Sequence, residues 1–274
     1  MIPPVQFPPK PVADSLVAPL RFYFSPKFLG LDEATANKPA LYVSNHTIFG
    51  LTDGVFLGVE LYLQKDIQLR ALVDELHLEV PFWRDMVGNL GMVKADRELC
   101  AKLMDQGAHI LVFPGGRREI FKKKGEAYKL RWENRYGFIR MALAHGYDII
   151  PVACLGGEET YDIVVDANEI MSGPVGWALK VTGISGKYLK NGDHLPPIAK
   201  GLGWTGLPKP ERLYIKLGHR ISTAPFSEHA EDVAVQERLK AEVEDAFRVL
   251  FEELEAVRAK DSEEEPWRKM LKRW

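Results

Sequence analysis

Short runs of hydrophobic residues alternate with longer stretches of helical periodicity between residues 40 and 155. The short runs are rich in β-branched side chains, which is typical of buried strands. They span residues 40–44, 67–73, 91–95, 109–114 and 147–155. Helices are predicted between them at residues 53–64, 81–90, 96–106 and 133–145. This alternation predicts an α/β domain with a substantially parallel sheet.

The two ends of the chain and one internal segment depart from this pattern. Residues 1–12 contain five prolines and predict an extended arm. Residues 172–210 are rich in Gly, Pro and Trp without a clear period, so we expect a long, partly apolar surface excursion there. After a further strand at 212–218, apolar residues recur on one stripe of a long helix predicted at 231–259.

The length alone allows one large domain or two small ones, and we expect a single domain. A chain of 274 residues, 46% of them hydrophobic, can bury a substantial core. We expect an N-terminal proline-rich arm and lead-in at 1–37 and a main domain at 38–225. The C-terminal helix and a basic, aromatic tail at 226–274 are expected to pack on the same domain.

Charge, cysteines and histidine spacing narrow the classes of function. The net charge of −2 gives no support to nucleic-acid binding. Cys100 and Cys154 lie far apart, which predicts buried, unpaired thiols in a cytoplasmic protein. No H-x-x-x-H or H-E-x-x-H pairing occurs, so no metal site is predicted. No stretch approaches the ~18 apolar residues of a spanning helix, so any membrane contact is expected at the surface.

The segment VSNHTIFGLTDG, residues 43–54, places a histidine where a strand is predicted to end. His46 is a candidate general base, and Asp53 is the carboxylate that could orient its ring. Each residue also has a structural interpretation. His46 could simply be a satisfied residue at a strand end, and Asp53 or Thr52 could cap the helix that follows.

A second segment, LVFPGGRRE at residues 111–119, ends the predicted strand in two glycines. Parallel sheets place their sites at the carboxyl ends of strands, and glycine lets the backbone approach a ligand there. Arginine side chains suit phosphate or carboxylate groups. The basic, aromatic segment at residues 122–138 that follows is either a solvated loop or a surface for an anionic headgroup or a phosphorylated cofactor.

Together, NHTIFGLTD, LVFPGGRREIFKKKGEAYKL and GFIRMALAHGYDIIPV resemble the lysophospholipid acyltransferase superfamily over roughly residues 38–225. The branch that includes diacylglycerol-acyltransferase-like and phytyl-ester-synthase-like proteins is the most similar. The resemblance implies a mixed α/β sheet flanked by helices. It also implies transfer of an acyl group from a thioester, usually acyl-CoA, to an alcohol.

Two departures from the superfamily pattern affect the expected site. The superfamily signature has four residues between its His and its Asp, whereas Asp53 comes seven positions after His46. The loop between them must therefore be wider, with Gly50 providing freedom. Where many relatives have Pro-Glu-Gly, this chain has Pro114-Gly115-Gly116. That difference favours a neutral alcohol over a glycerol-phosphate acceptor.

The leading hypothesis is an acyl-CoA-dependent O-acyltransferase that acts on a lipid-like alcohol such as a neutral glycerolipid or lysophospholipid. His46 and Asp53 are the candidate catalytic residues, and amides around Gly115 and Gly116 are candidate oxyanion donors. Candidate substrate-binding residues are Asn45, Arg97, Gly115, Gly116, Arg118 and Glu119, and candidate acyl-CoA-binding residues are Lys124 and Lys129. No permanently bound cofactor is expected. An esterase or thioesterase and a catalytically silent lipid-binding protein remain alternatives.

The C-terminal segment WRKMLKRW, residues 267–274, reads as a short amphipathic helix. Trp267, Met270, Leu271 and Trp274 would share one face, with cations on the other. This pattern is typical of a peripheral membrane anchor, with further apolar contacts expected around Trp177 and Trp204. The alternative is that the two tryptophans pack back on the protein.

Overall fold

The computed structural model describes residues 7–50, 52–73, 91–187, 189, 192–262 and 265–272. The helix predicted at 81–90 lies outside the described residues. The strands are β1 (Lys27–Leu29), β2 (Ala40–Ser44), β3 (Leu69–Val73), β4 (Val93–Lys94), β5 (His109–Val112), β6 (Asp148–Leu155), β7 (Asp162–Val165), β8 (Ile198–Lys200) and β9 (Tyr214–Leu217). The helices are α1 (Lys10–Phe24), α2 (Asp53–Lys65), α3 (Arg97–Asp105), α4 (Arg117–Ile120), α5 (Gly137–Ala144), α6 (Ala167–Ser172), α7 (Pro174–Val181), α8 (Ile184–Lys187), α9 (Val233–Lys260) and α10 (Pro266–Leu271).

Seven strands form one mixed sheet in the order β1-β9-β6-β2-β5-β3-β4. Neighbouring strands from β6 to β4 are parallel, whereas β9 runs antiparallel to β6 and parallel to β1. Strands β7 and β8 pair separately as an antiparallel ribbon. The predicted class, a single α/β domain with a mixed, mostly parallel sheet flanked by helices and a long C-terminal helix, is confirmed.

The sheet is covered by a hydrophobic cluster on each face, which explains the continuous apolar runs of its central strands. Every residue of β2 and β6 is buried, as expected for parallel strands packed on both sides. One cluster contains the α9 stripe that the periodicity predicted, formed by Leu239, Val243, Phe247, Leu250 and Leu254. The other contains residues of α1 and α2, namely Phe24, Phe56, Leu57 and Leu61.

Three predicted segments differ from the structure. Within the proline-rich stretch, helix α1 already begins at Lys10, because Pro11 lies in the first turn, where proline removes no helical hydrogen bond. The helix predicted to start at residue 133 starts at Gly137, since Glu133 has a φ of 43°, which a helix does not accommodate. The excursion at 172–210 includes the short helices α7 and α8 and the strand β8.

The C-terminal tail packs on α1, so its predicted division into an apolar and a cationic face is wrong at Arg268. That side chain is fully buried and donates to the carbonyls of Phe22 at 2.7 Å and Tyr23 at 3.3 Å. Trp267 stacks on Phe22 with ring centroids 5.3 Å apart. Trp274 lies outside the described residues.

Two further sequence observations can be compared with the structure. Cys100 and Cys154 are buried free thiols, as predicted. Among the described residues, every helix falls short of the combined length and apolarity that a bilayer crossing requires.

Candidate active site

His46 lies two residues after the end of β2, at the carboxyl edge of the parallel strands. Hydrogen bonds to β6 hold the backbone that precedes it. The Ser44 hydroxyl donates to the carbonyl of Val152 at 2.9 Å. The Asn45 amide group pairs with the backbone of Cys154, donating at 3.1 Å and accepting at 2.8 Å. The prediction that Asn45 binds substrate is therefore corrected, because its side chain is 1% exposed and both of its polar atoms hold β6.

The imidazole of His46 and the carboxylate of Asp53 are in direct contact. Nδ1 of His46 lies 2.9 Å from Oδ2 of Asp53, so the predicted pairing is present despite the long spacing. The same oxygen accepts from the amide of Thr47 at 2.9 Å, and Oδ1 accepts from the amide of Gly54 at 3.0 Å. Thr52 occupies the N-cap position of α2 without a side-chain capping bond. Asp53 thus orients the imidazole and satisfies backbone amides at the start of the helix.

Electrostatics keep the Asp53 carboxyl ionised. Burial raises its pKa, but the attraction and hydrogen bond of His46 and the amides of Thr47 and Gly54 lower it by more. The net pKa lies below the ordinary value of an aspartate. A buried negative charge therefore faces Nδ1, which fixes the proton on that nitrogen and leaves Nε2 as the basic atom.

The loop between His46 and Asp53 closes tightly on the imidazole ring. Gly50 has a φ of 59°, and a Cβ at this position would overlap the ring of His46. Phe113, just after β5, stacks on the imidazole with ring centroids 4.0 Å apart. Neither contact was predicted as part of the site. The signal for Gly50 was its place inside the wide loop, but only the folded chain shows that its missing side chain makes room for the imidazole.

We expect Gly50→Ala to lower the kcat of the protein about tenfold, because the added methyl group displaces the imidazole from its place beside Asp53. The positive φ adds a stability cost of about 1–2 kcal/mol. Gly58→Ala is the matched control, since Gly58 lies inside α2 with nothing within 4 Å of an added Cβ. Steady-state kinetics and thermal unfolding of both variants test this. Equal kcat values for the two would contradict the close packing.

Glu119 is buried against the backbone of His46 and does not line an accessible surface of the site. It is fully buried, and its oxygens accept from the amide of His46 at 3.0 Å and from the amide of Arg131 at 3.1 Å. Burial raises the pKa of Glu119, although Lys122 and the two amides partly offset this. The expectation that Glu119 lines the substrate site is corrected, because no part of its side chain reaches solvent.

Lys122 is a site residue that the sequence did not single out. The predicted basic surface at 122–138 is wrong at this position and at Trp132, since both side chains are almost fully buried. Lys122 donates to the carbonyl of His46 at 2.8 Å and forms an ion pair with Glu158. Burial raises the pKa of Glu158 to about 7, although Lys122 lowers it in part. One lysine in a run of three gives no sequence signal that distinguishes it as the buried one.

The two glycines predicted at the site shape the turn after β5. Gly116 has a φ of 51°, a conformation that favours glycine, and its amide donates to the carbonyl of Phe113 at 3.1 Å. That amide is occupied and is not a free oxyanion donor, which corrects the expectation for Gly116. The carbonyls of Pro114 and Gly115 accept from Arg135 at 2.6 and 2.7 Å.

The remaining predicted residues lie on the surface around this centre. Arg118 pairs with Glu133 and, at 2.9 Å, with Asp193. Lys124 and Lys129 are exposed, and Lys124 pairs with Glu169 at 2.8 Å. Arg97, the first residue of α3, lines a cavity of about 440 Å³ that Phe113 also lines. Binding roles for these four side chains stay predictions.

Comparisons with known proteins show which families and proteins this chain is similar to. The sequence model of the family described as Acyltransferase matches residues 25–155. Phytyl ester synthase 2 of Arabidopsis thaliana is 29% identical over 254 residues, which cover 89% of this chain and 35% of that protein. Diacylglycerol O-acyltransferase 2 of Dictyostelium discoideum is 28% identical over 100 residues, covering 36% of this chain and 30% of that protein.

A solved structure shares the fold. It is the 1-acyl-sn-glycerophosphate acyltransferase PlsC from Thermotoga maritima, with a TM-score of 0.53 and 13% identity, covering 90% of this chain and 80% of that one. The chain spans about 35% of the length of phytyl ester synthase 2, so it matches one part of a longer relative. Residues 25–155, which contain His46, Asp53 and the glycine turn, therefore match the sequence model of the acyltransferase family, in agreement with the resemblance.

Proposed function

We propose that the protein is an O-acyltransferase that moves a fatty acyl group from acyl-CoA to a lipid-like alcohol, with His46 as general base. One observation supports this most strongly. A partly exposed imidazole, 18% accessible, is held through Nδ1 by the 2%-exposed Asp53 at the carboxyl edge of the sheet. This arrangement suits removal of a proton from a substrate hydroxyl group near neutral pH.

The proposed reaction is a direct transfer. Nε2 of His46 takes the proton of the acceptor hydroxyl as its oxygen bonds to the thioester carbonyl carbon. The imidazolium that forms is stabilised by ionised Asp53. Collapse of the tetrahedral intermediate breaks the carbon–sulfur bond, and the proton on Nε2 passes to the departing CoA thiolate. The products are an ester and free CoA.

A cavity that shares one residue, Phe113, with the surroundings of the imidazole supports an amphiphilic, anionic substrate, although His46 itself does not line it. Phe113 contacts His46 and also lines this cavity. Its apolar wall includes Leu41, Leu72, Cys100 and Val112, and its cationic groups are Arg97, Arg135 and Arg140. Apolar walls accept an acyl chain, and arginine side chains suit phosphate groups such as those of CoA. The names of the relatives, phytyl ester synthase and diacylglycerol O-acyltransferase, support a neutral alcohol as acceptor.

An assay with labelled acyl-CoA and a panel of alcohols tests the proposal. We expect ester formation that depends on the acceptor, from diacylglycerol, a lysophospholipid or a long-chain alcohol. Release of free fatty acid at the same rate with and without an acceptor would identify an esterase or thioesterase instead. Binding of the labelled substrate with neither product would favour a lipid-binding protein without activity.

We further propose that the protein works at a membrane surface, which its lipid-like acceptor requires. Exposed apolar side chains concentrate in residues 174–207, where Trp177 is 68% and Trp204 is 80% exposed. Lys200 lies over the Trp204 ring, 4.8 Å from its centroid. Tryptophans next to cations suit the headgroup region of an anionic bilayer. Cytoplasmic localisation stays a prediction.

We expect Trp177→Ser combined with Trp204→Ser to weaken binding to anionic vesicles at least about tenfold, because two large apolar contacts are lost. Added salt should weaken wild-type binding in part by screening the lysines. Val249→Ser is the control, since Val249 is an exposed apolar residue of α9. Co-sedimentation measures all three proteins. Equal binding by the tryptophan variant and wild type would exclude this surface. Truncation of the tail is less informative, because it also removes the contacts of Arg268 with α1.

A further inference from the structure

Two buried side chains of opposite charge hold the peptide groups on either side of His46. Glu119 accepts from the His46 amide at 3.0 Å, and Lys122 donates to the His46 carbonyl at 2.8 Å. Both residues are at most 1% exposed. Neither touches the imidazole ring in a hydrogen bond that the structure describes. Their contacts instead fix the backbone from which the ring projects.

A contribution to stability alone does not explain this arrangement. Taking charged groups out of water is costly, and well-packed apolar residues in the same place are often as stable. Hydrogen bonds to charged groups are, however, shorter and roughly twice as strong as neutral ones. Charged side chains at this position are therefore suited to orientation, because their stronger hydrogen bonds restrict the His46 backbone more than those of neutral partners would.

The carboxylate of Glu119 occupies the space into which a side chain at position 115 would project. A Cβ at Gly115 would overlap Cγ and Cδ of Glu119. The φ of Gly115 is not positive, so its backbone conformation would accept any residue. The glycine at 115 is therefore explained by the space that the Glu119 carboxylate needs, and not by a backbone conformation that requires glycine. A Cβ at 115 would also lie 2.5 Å from Oε2 of Glu119, which puts a carboxylate carried by a side chain at 115 within reach of the same two amides, those of His46 and Arg131.

We infer that Glu119 is a positioning residue for His46, that Lys122 holds the opposite peptide group, and that Gly115 is small to admit the Glu119 carboxylate. This inference rests on the proposed role of His46 as general base. The second oxygen of Glu119 accepts from the amide of Arg131 at 3.1 Å, so the carboxylate also ties the segment after α4 to the histidine. Displacing the carboxylate therefore lets the imidazole shift relative to a bound substrate.

Relocating the carboxylate tests the inference. Three variants are compared with wild type: Glu119→Ala, Gly115→Glu, and both together. Glu119→Ala leaves two buried amides unpaired, and we expect kcat to fall about tenfold with KM within about twofold, as for a small misplacement of a reacting group. Gly115→Glu alone forces two side chains into one space and should lower kcat as well. The double variant should recover kcat to within about threefold of wild type, a non-additive result.

A second readout needs no acyl donor. In protein with ¹⁵N-labelled histidine, the Nδ1–H proton of His46 reports its hydrogen bond to Asp53. We expect a sharp downfield resonance in wild type and in the double variant, and a broadened one in Glu119→Ala. If Glu119→Ala does not fold, Glu119→Gln replaces it, because an amide oxygen accepts from only one of the two backbone amides.

The outcomes separate the two hypotheses. Wild-type kcat and resonance in a folded Glu119→Ala protein would overturn the positioning role, as would a double variant no better than the single ones. A wild-type protein that transfers no acyl group, but shows the expected changes in the resonance, would overturn the proposed function and support the positioning role.

Discussion

Replacing His46 with alanine is expected to lower kcat for acyl transfer by about 10²–10⁴, the usual effect of removing a positioned general base. Without the imidazole, the acceptor hydroxyl must lose its proton to water as the new bond forms. The fold should remain intact, because the backbone of His46 keeps its contacts with Glu119 and Lys122. The measurement is ester formation from labelled acyl-CoA, alongside circular dichroism and thermal unfolding.

His145 provides a matched control for this variant. Its Nδ1 lies 2.8 Å from Oδ1 of Asp105, and its side chain is 19% exposed, against 18% for His46. The two pairs share the same chemistry and burial of the histidine, but His145 is the C-cap residue of α5, away from the carboxyl end of β2. His145→Ala should keep wild-type kcat. Unchanged kcat in folded His46→Ala would refute the mechanism.

Asp53→Asn is expected to lower kcat by about 10², less than the loss of the imidazole itself. The carboxylate accepts from His46 and from the amides of Thr47 and Gly54. An asparagine has only one acceptor oxygen for these three donors, so its NH₂ group would face at least one of them. If the NH₂ group faces Nδ1 of His46, it favours the tautomer with the proton on Nε2, in which Nε2 cannot act as the base. Kinetics of Asp53→Asn and His46→Ala under the same conditions give the comparison. A larger loss in Asp53→Asn than in His46→Ala would contradict this order.

The same variant should also change the pH dependence of stability. Because the pKa of Asp53 is lowered in the folded protein, its ionised form stabilises the fold above the unfolded value of about 3.9. That contribution is lost as the pH falls through the folded pKa. Asp53→Asn should therefore have a lower free energy of unfolding than wild type at pH 7, and the difference should shrink below about pH 4. Urea unfolding across this range measures it, and a difference independent of pH would argue against an ionised Asp53.

The central strands and the long C-terminal helix followed from local patterns in the sequence. Hydrophobic runs predicted β2 and β6, and a stripe of apolar residues at helical spacing predicted α9. The two strands are readable because burial on both faces keeps nearly every residue apolar, and the helix is readable because burial of one face repeats about every 3.6 residues. The position of His46 at the end of β2 followed in the same way. Its contact with Asp53, seven residues away, is also local enough to be expected from the sequence.

The partners of the site were decided by the tertiary structure alone. Glu119 and Lys122 are separated from His46 by 73 and 76 residues, and no periodicity links them. Both residues lie in a basic, polar stretch of the sequence. Only the parallel pairing of β5 with β2 places the segment after β5 next to the backbone of the histidine. The burial of Arg268 was likewise decided by the tertiary structure, because its partner Phe22 is 246 residues away in the sequence. Charge along a sequence indicates exposure on average, but a charged side chain becomes buried when distant backbone groups supply its hydrogen bonds, and that depends on the whole fold.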